Sequence, residues 1–98
     1  MKPVRFHPIA NREVARAYRW YADESETAAE RFAQEIDRVI ENISETPERF
    51  PAYLLDTQRF ILDRFPYLIV YRELRDNGRV IAVAHAKRRP GYWAQRLK

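Results

Sequence analysis

The chain has 98 residues, of which 46% are hydrophobic and 13% aromatic. This length fits one small domain, and the composition is too apolar for a disordered chain. The chain has no cysteine, which excludes a disulfide framework and a thiolate zinc site. No apolar run approaches the ~20 residues of a membrane span, and no signal-peptide core is visible. We therefore expect one domain over residues 1–98, in the cytoplasm, with no membrane contact, no metal and no other cofactor.

Charged residues are distributed unevenly along the chain, whose formal net charge is +4. Residues 1–48 carry seven basic and ten acidic residues, whereas residues 49–98 carry eleven basic and four acidic ones. From Arg79 onwards there are six basic residues and no acidic one. This asymmetry indicates a positive surface for nucleic acid or for an acidic protein partner. The alternative is ordinary surface charge that keeps the protein soluble.

The first half of the chain predicts one short strand and two helices. Residues 3–7 alternate between apolar and polar, which is typical of an edge strand. Apolar residues at helical spacing predict a first helix over residues 9–23. A Thr-Ala-Ala-Glu capping box at residues 27–30 predicts a second helix that ends near Glu45. Because the break between the helices is short, we expect them to pack as an antiparallel hairpin.

The second half predicts an irregular segment followed by three strands. Residues 46–57 contain two prolines and predict a loop. Strand-like runs cover residues 58–63, 66–72 and 79–86, and the Asp-Asn-Gly before the last run favours a hairpin turn, since Asn and Gly tolerate positive φ. Short connections make these runs an antiparallel meander. We therefore predict an α+β fold, with the N-terminal helical hairpin packed on one face of a small twisted antiparallel sheet and the first strand at its edge.

The strongest chemical signal follows the last predicted strand, in the sequence HAKRRPGYW at residues 85–93. Arginine offers a planar fork that matches phosphate or carboxylate, and the two aromatic residues could stack on a base. If the protein cleaves RNA, the substrate's 2′-hydroxyl is the nucleophile, and the protein supplies an acid, a base and a cation. His85 and Tyr92 are then the candidates for proton transfer, and Arg88 the candidate for stabilising charge.

Structural roles are the alternative for two of these residues. His85 would be a core-edge residue hydrogen-bonded to backbone, and Trp93 would be a lid on the core. Strict strand alternation places His85 on the same face as Ile81 and Val83, but the apolar pattern leaves open which face the helices cover.

Three segments carry a resemblance to a known family. Residues 64–71 are RFPYLIVY, residues 85–93 are HAKRRPGYW, and the second predicted helix ends before Pro47 with Phe50 and Pro51 behind it. Together they are similar to the RFPY-x-x-x-Y signature, the HxxRxP-x-x-W ending and the helix pattern of the RelE/ParE superfamily, bacterial toxins of type II toxin–antitoxin modules. The resemblance spans essentially the whole chain and implies two N-terminal helices on a small twisted antiparallel sheet.

The resemblance implies a toxin that arrests growth until a cognate antitoxin neutralises it, by a disordered segment that folds over the toxin on binding. A toxin–antitoxin hetero-oligomer is then expected. The ending is more similar to ParE-like members, which poison DNA gyrase by protein contact without known catalysis, and we slightly prefer that target. RelE-like members instead cut mRNA in the ribosomal A site, which would make this chain a ribosome-dependent endoribonuclease. A third alternative is an inactive toxin that persists as an antitoxin-binding scaffold.

The two targets imply different roles for the same residues. Arg88 and Tyr92 match the RelE-type arginine and tyrosine, so these residues and His85 are catalytic only if the chain is RelE-like. RelE-like members also carry lysines on the sheet, whereas this chain has lysine only at positions 2, 87 and 98. The residues expected to contact nucleic acid or the protein target are Arg59, Arg64, Lys87, Arg89, Trp93 and Arg96.

Overall fold

The computed structural model describes residues 1–98 and places two α-helices on one face of a five-stranded sheet. Helices α1 and α2 span Pro8–Glu24 and Glu26–Glu45. Strands β1 to β5 span Val4–Phe6, Ala52–Tyr53, Thr57–Ile61, Tyr67–Glu73 and Gly78–His85. Short 3-10 turns cover Pro47–Arg49, Leu54–Asp56 and Ala94–Leu97. The predicted α+β fold with an N-terminal helical hairpin is confirmed, and neither helix is both long and apolar enough to cross a membrane.

The sheet has the strand order β1-β5-β4-β3-β2. Strands β3, β4 and β5 form the predicted antiparallel meander. Strand β1 lies at an edge, as predicted, but it pairs parallel with β5, with Val4 opposite Gly78 and Phe6 opposite Val80. Tight turns force neighbouring strands to be antiparallel, whereas two helices and three strands separate β1 from β5, so either direction was available. The sheet is therefore mostly, not entirely, antiparallel.

A single residue, Ser25, separates the two helices. It adopts an extended conformation that lets the chain reverse, and its hydroxyl accepts the N–H of Ala28 at 3.3 Å. The expected capping box starting at Thr27 is wrong, because α2 begins at Glu26 and Ser25 is the N-cap. At the start of α1, the His7 side chain is the N-cap, with Nδ1 accepting the N–H of Ile9 at 3.1 Å.

The cap of α1 gives a prediction for pH dependence. Partial burial lowers the pKa of His7 below its ordinary value of 6.5, and the charges of Arg79 and Arg96 act in the same direction. As the pH falls below about 6.5, the imidazole of His7 is therefore protonated in the unfolded chain before it is protonated in the folded chain. The contribution of His7 to the free energy of unfolding should be constant above that pH. It should decrease as the pH falls through the pKa of His7 in the folded protein.

The measurement is urea denaturation at pH 7.5 and pH 5.5, on wild type and on His7→Asn. Asparagine caps helices well but does not titrate in this range. The variant should lose less stability than wild type between the two pH values. An equal loss in both proteins would assign the pH dependence to other groups.

The segment between α2 and β3 contains more structure than residues 46–57 indicated. Ala52–Tyr53 pairs with β3 and forms the second edge of the sheet, so the prediction of a purely irregular loop is wrong there. Leu55 and Asp56 then adopt left-handed φ values of 56° and 62°. The Arg72 guanidinium donates hydrogen bonds to the carbonyls of both residues, which holds this unfavourable conformation in place.

The turn between β4 and β5 closes through the Leu74 N–H, which donates to the Asn77 carbonyl at 2.8 Å. The glycine that follows was expected to supply positive φ, but among the glycines only Gly91 has it, at 83°, so that reason is wrong. Gly78 is instead buried, and a Cβ there would lie 3.4 Å from Ile43 Cγ2. Its small size therefore suits the close approach of α2 to this edge of the sheet.

Apolar side chains form a core on each face of the sheet. The larger core, of 11 buried residues, lies between the sheet and the helices. On the opposite face, the C-terminal residues cover a smaller core made of Val70, Ile81, Ala82 and Trp93. The C-terminal segment is therefore part of the fold.

A β-bulge in β5 determines which side chains face the helices. Val80 and Ala82 pair with consecutive residues of β4, so Ile81 is an extra residue. Val80 and Val83 join the core under the helices, whereas Ile81 and Ala82 join the smaller core. The expectation that Ile81 and Val83 share a face is therefore wrong, because it assumed strict alternation.

Candidate functional site

The predicted C-terminal site forms a cleft of about 420 Å³ where β5 ends. Strand β3, the turn before β4 and the residues after β5 contribute its lining. Six of the nine predicted site residues lie around it, namely Arg59, His85, Arg88, Arg89, Tyr92 and Trp93. The structure thus brings together residues that are far apart in sequence. We call this space the sheet cleft.

A second cleft, of about 460 Å³, lies between α1 and the end of β5. We call it the helix cleft. Arg16 and Trp20 line it from α1, and Trp20 is 60% exposed. The two clefts share five lining residues, which are Pro66, Tyr67, His85, Arg88 and Tyr92. Arg88 and Tyr92 therefore belong to the wall between two concave surfaces.

Arg88 is held against Tyr92. Its guanidinium carbon lies 3.7 Å from the centroid of the Tyr92 ring, which is a close cation–π contact. Its Nη1 lies 3.9 Å from Glu13 Oε2, and the side chain is about half exposed. The Tyr92 hydroxyl donates a hydrogen bond to Glu13 Oε2. Burial, together with this bond to a carboxylate, raises the pKa of Tyr92 well above its ordinary value, so the phenol stays protonated near neutral pH.

Glu13 is the site residue that sequence reasoning missed. Its Oε1 accepts the N–H of Val83 at 3.0 Å and Nη1 of Arg96 at 2.8 Å, and its Oε2 accepts Nη2 of Arg96 at 3.1 Å. A signal for its position, though not for its partners, was available, because Glu13 lies three residues after Ala10 and four before Ala17, two apolar residues of the predicted helix. That spacing puts its carboxylate on the face of α1 that packs on the sheet.

Two residues predicted to bind a target have structural roles in the fold. Arg96 forms a bidentate ion pair with Glu13, and the two side chains are only 11% and 14% exposed. Trp93 is 1% exposed and lies in the smaller core, with its ring 6.1 Å from that of Tyr53. In this arrangement the indole face is not free to stack on a base, which agrees with the alternative role of a core lid.

Three other predicted residues lie at different distances from the sheet cleft. Arg59 lines it, with the guanidinium carbon 4.7 Å from the Tyr53 ring centroid. Arg64 is exposed in the turn after β3 and lies beside Arg31 and Arg38 of α2, away from the cleft. Lys87 is exposed in the turn after β5.

His85 has both a backbone contact and an aromatic one. Its Nδ1 accepts the N–H of Lys87 at 3.1 Å, and its ring packs edge-on against Tyr67 with centroids 5.1 Å apart. The predicted hydrogen bond to backbone is therefore present. No group of three His, Asp or Glu side chains lies close enough together to hold a metal ion.

Residues 4–90 match a family model described as the ParE toxin of the type II toxin–antitoxin system parDE. The chain belongs to this toxin family. Among solved structures it is similar to a chain described as the chromosomal ParDE TA system from P. aeruginosa, with a TM-score of 0.62 and 12% sequence identity over 87% of this chain and 96% of that chain. That likeness shows the fold, and no curated protein matches the chain. The predicted superfamily is confirmed, and a toxin of this kind has a cognate antitoxin as partner.

The exposed part of this ParE-family toxin's C-terminus is strongly positive. Residues 86–90 are all exposed and contain Lys87, Arg88 and Arg89. The carboxylate beside them is that of Glu13, and Arg96 already neutralises it. We call residues 86–92 the basic segment. It presents uncompensated positive charge on a rigid support, since β5 precedes it and the buried Trp93 follows it.

Proposed function

We propose that this ParE-family toxin arrests growth by docking its basic segment onto DNA gyrase, without catalysing a reaction. The observation that supports the proposal is the placement of Arg88. The guanidinium is half exposed, stacked on Tyr92, flanked by the exposed Lys87 and Arg89, and located on the wall between two clefts. Arginine and tyrosine supported in this way are the residue types that dominate protein interfaces.

The state of the candidate catalytic groups favours docking over catalysis. Tyr92 keeps its proton and donates a hydrogen bond to Glu13, so it does not act as a base near neutral pH. His85 uses Nδ1 to accept a backbone N–H, and its ring packs on Tyr67. Arg88 already interacts with Tyr92 and Glu13. These contacts hold the three side chains in one arrangement and leave fewer groups free for proton transfer.

The deciding experiment is to express the chain alone in a bacterial host and to pulse-label DNA and protein synthesis within minutes of induction. DNA synthesis should fall first, and the purified toxin should inhibit supercoiling by purified gyrase. If protein synthesis falls first, the ribosome is the target and the gyrase proposal is wrong. If neither changes in a host that carries gyrase, the chain is an inactive scaffold for antitoxin, and the proposal is equally wrong.

A second candidate function is a ribosome-dependent endoribonuclease. The observation that favours it is the sheet cleft, because Arg59, Arg88 and Arg89 line the same cleft as His85. In that reaction the 2′-oxygen would attack phosphorus and pass its proton to the imidazole of His85, while the bond between phosphorus and the 5′-oxygen breaks and the Tyr92 hydroxyl gives its proton to that oxygen. Arg88 would stabilise the charge on phosphorus. Arg88→Ala would then abolish cutting of mRNA on the ribosome while the fold is retained.

The docking proposal predicts graded effects within the basic segment. Arg88→Glu should weaken binding to gyrase about 10- to 100-fold, because it removes an anchor and introduces a like charge facing an acidic partner. Arg89→Glu and Tyr92→Leu should each have smaller effects. Affinity can be measured by surface plasmon resonance and compared with the toxin level that arrests growth.

The matched control is Arg12→Glu, which makes the same charge change at an exposed position on α1 outside both clefts. It should leave affinity and growth arrest unchanged. A result in which one substitution abolishes growth arrest, the others have no effect and gyrase is not bound would contradict docking and support catalysis.

A further inference from the structure

We propose that Glu13 is a positioning residue for Arg88: through Tyr92 it sets the direction in which the guanidinium points. This proposal rests on the proposed role of the basic segment as the docking surface. Glu13 is not expected to contact the target itself, because its carboxylate is largely buried. The argument has three steps, which concern the edge of β5, the hydroxyl of Tyr92 and the partners of Arg88.

The first step is that the sheet edge fixes the carboxylate. Strand β1 pairs with β5 only from Gly78 to Val80, so beyond Val80 no strand covers the edge of β5 that faces away from β4. Glu13 Oε1 accepts the N–H of Val83, and Arg96 Nη1 donates to the carbonyl of Ile81 at 3.1 Å. The ion pair thus satisfies backbone groups that a neighbouring strand would otherwise satisfy. This anchors the Glu13 carboxylate to the sheet.

The second step is that the other carboxylate oxygen fixes the tyrosine. With Oε1 directed at the sheet edge, Oε2 faces the C-terminal residues and accepts the Tyr92 hydroxyl. The phenol is thereby held at its oxygen. The following residue, Trp93, is buried and holds the backbone on the other side of the sheet. The long axis of the Tyr92 side chain is therefore fixed at both ends, which places the ring beside Arg88.

The third step is that Arg88 depends on these two groups. Its guanidinium stacks on the Tyr92 ring at 3.7 Å, and its single ion-pair contact is with Glu13 at 3.9 Å. Removing the charge of Glu13 removes that contact directly and loosens the ring on which Arg88 lies. An arginine that must be ordered on binding lowers affinity, so losing this preorganisation should weaken docking about 2- to 10-fold.

The direct test is Glu13→Gln, followed by NMR of the Arg88 side chain in the whole protein. Glutamine keeps the shape and an oxygen that can accept the Val83 N–H, but it lacks the charge. In wild type, the Tyr92 ring should shift the Arg88 δ and ε protons upfield. In the variant these resonances should return toward ordinary arginine values. Unchanged resonances would overturn the proposal.

Tyr92→Phe is the second variant. It keeps the ring and removes only the hydrogen bond to Glu13, so the Arg88 resonances should return partly toward ordinary arginine values.

A double-mutant cycle separates positioning from a general loss of stability. Glu13→Gln should raise the toxin level needed for growth arrest in the wild-type background but have little effect beside Arg88→Ala at matched expression. A residue with only a structural role would give the same relative change in both backgrounds, and that result would overturn the proposal.

Glu35→Gln is the matched control. Glu35 is also a largely buried helix carboxylate, it accepts the N–H of Asp63 at 2.9 Å, and it contacts Arg38 at 3.5 Å. It should lower stability without moving the Arg88 resonances. The NMR readout needs no target, so it separates the two proposals: shifted resonances in a toxin that leaves DNA synthesis unaffected would retain the positioning role and reject gyrase docking.

Discussion

Trp93→Ala is expected to destabilise the toxin by about 3–5 kcal/mol, the usual range for removing a large buried aromatic side chain. Trp93 is 1% exposed and packs against Val70, Ile81 and Ala82 on the face of the sheet that the helices do not cover. This small core has few other members, so little can move in to fill the space. Because domains of this size have free energies of unfolding of about 5–15 kcal/mol, the variant should lose a large part of its stability.

The chain contains its own control for this prediction, since its other tryptophan, Trp20, is 60% exposed on α1. Trp20→Ala should change the free energy of unfolding by about 0.5 kcal/mol or less. Urea denaturation followed by far-UV circular dichroism gives both values. If Trp93→Ala unfolds at the wild-type urea concentration yet fails to arrest growth, Trp93 contacts the target and the assignment to the core is wrong.

The helical half of the fold could be predicted because its signals are local. The apolar stripe of α2 recurs at helical spacing, and Thr46 and Pro47 stop the helix where the structure ends it. The meander could be predicted for a similar reason, since short connections leave antiparallel pairing as the only option. These features depend on residues within a few positions of one another.

The features that were missed depend on distant partners. The direction of β1 is set by its contact with β5 across most of the chain. Strand β2 has two residues, too few for any alternation to be visible. The bulge at Ile81 inserts one residue between two regular halves of β5, and the uninterrupted apolar run from Val80 to Ala84 shows no sign of it. Periodicity carries no information on any of these points.

The candidate site shows the same division. The part of it that follows β5 was predictable, because His85, Arg88 and Tyr92 lie in one short run that emerges from a strand. The roles of Arg96 and Glu13 were not, because these two residues pair across 83 positions of the chain. A basic residue in a basic C-terminus was interpreted as part of the binding surface, whereas the fold uses this one to close its own sheet edge.

The basic C-terminus therefore contains two kinds of positive charge with different consequences. Lys87, Arg88 and Arg89 are exposed and available to a partner. Arg96 instead donates hydrogen bonds to Glu13 and to the carbonyl of Ile81. A count of basic residues therefore overstates the positive charge available to the proposed docking surface. Substitutions at these positions should separate into those that change affinity and those that change stability.

Arg96→Met tests this separation and is expected to destabilise the fold by about 3–5 kcal/mol. The substitution leaves the largely buried carboxylate of Glu13 without its hydrogen-bonded cation, since Arg88 is 3.9 Å away, and loss of one member of a buried ion pair typically has that effect. It also removes the donor to the Ile81 carbonyl. In a Glu13→Gln background the same change should destabilise the fold less, because an unpaired amide is easier to bury than an unpaired charge.

The matched control is Lys2→Met, which breaks the ion pair between Lys2 and Glu73. The side chains of that pair are each 32% exposed, so a loss of about 1 kcal/mol or less is expected. Urea denaturation of the four variants at neutral pH measures these differences. Equal losses in Arg96→Met and Lys2→Met would mean that solvent already screens Glu13, and packing of the C-terminal residues around Trp93 would then contribute more to their stability than the ion pair does.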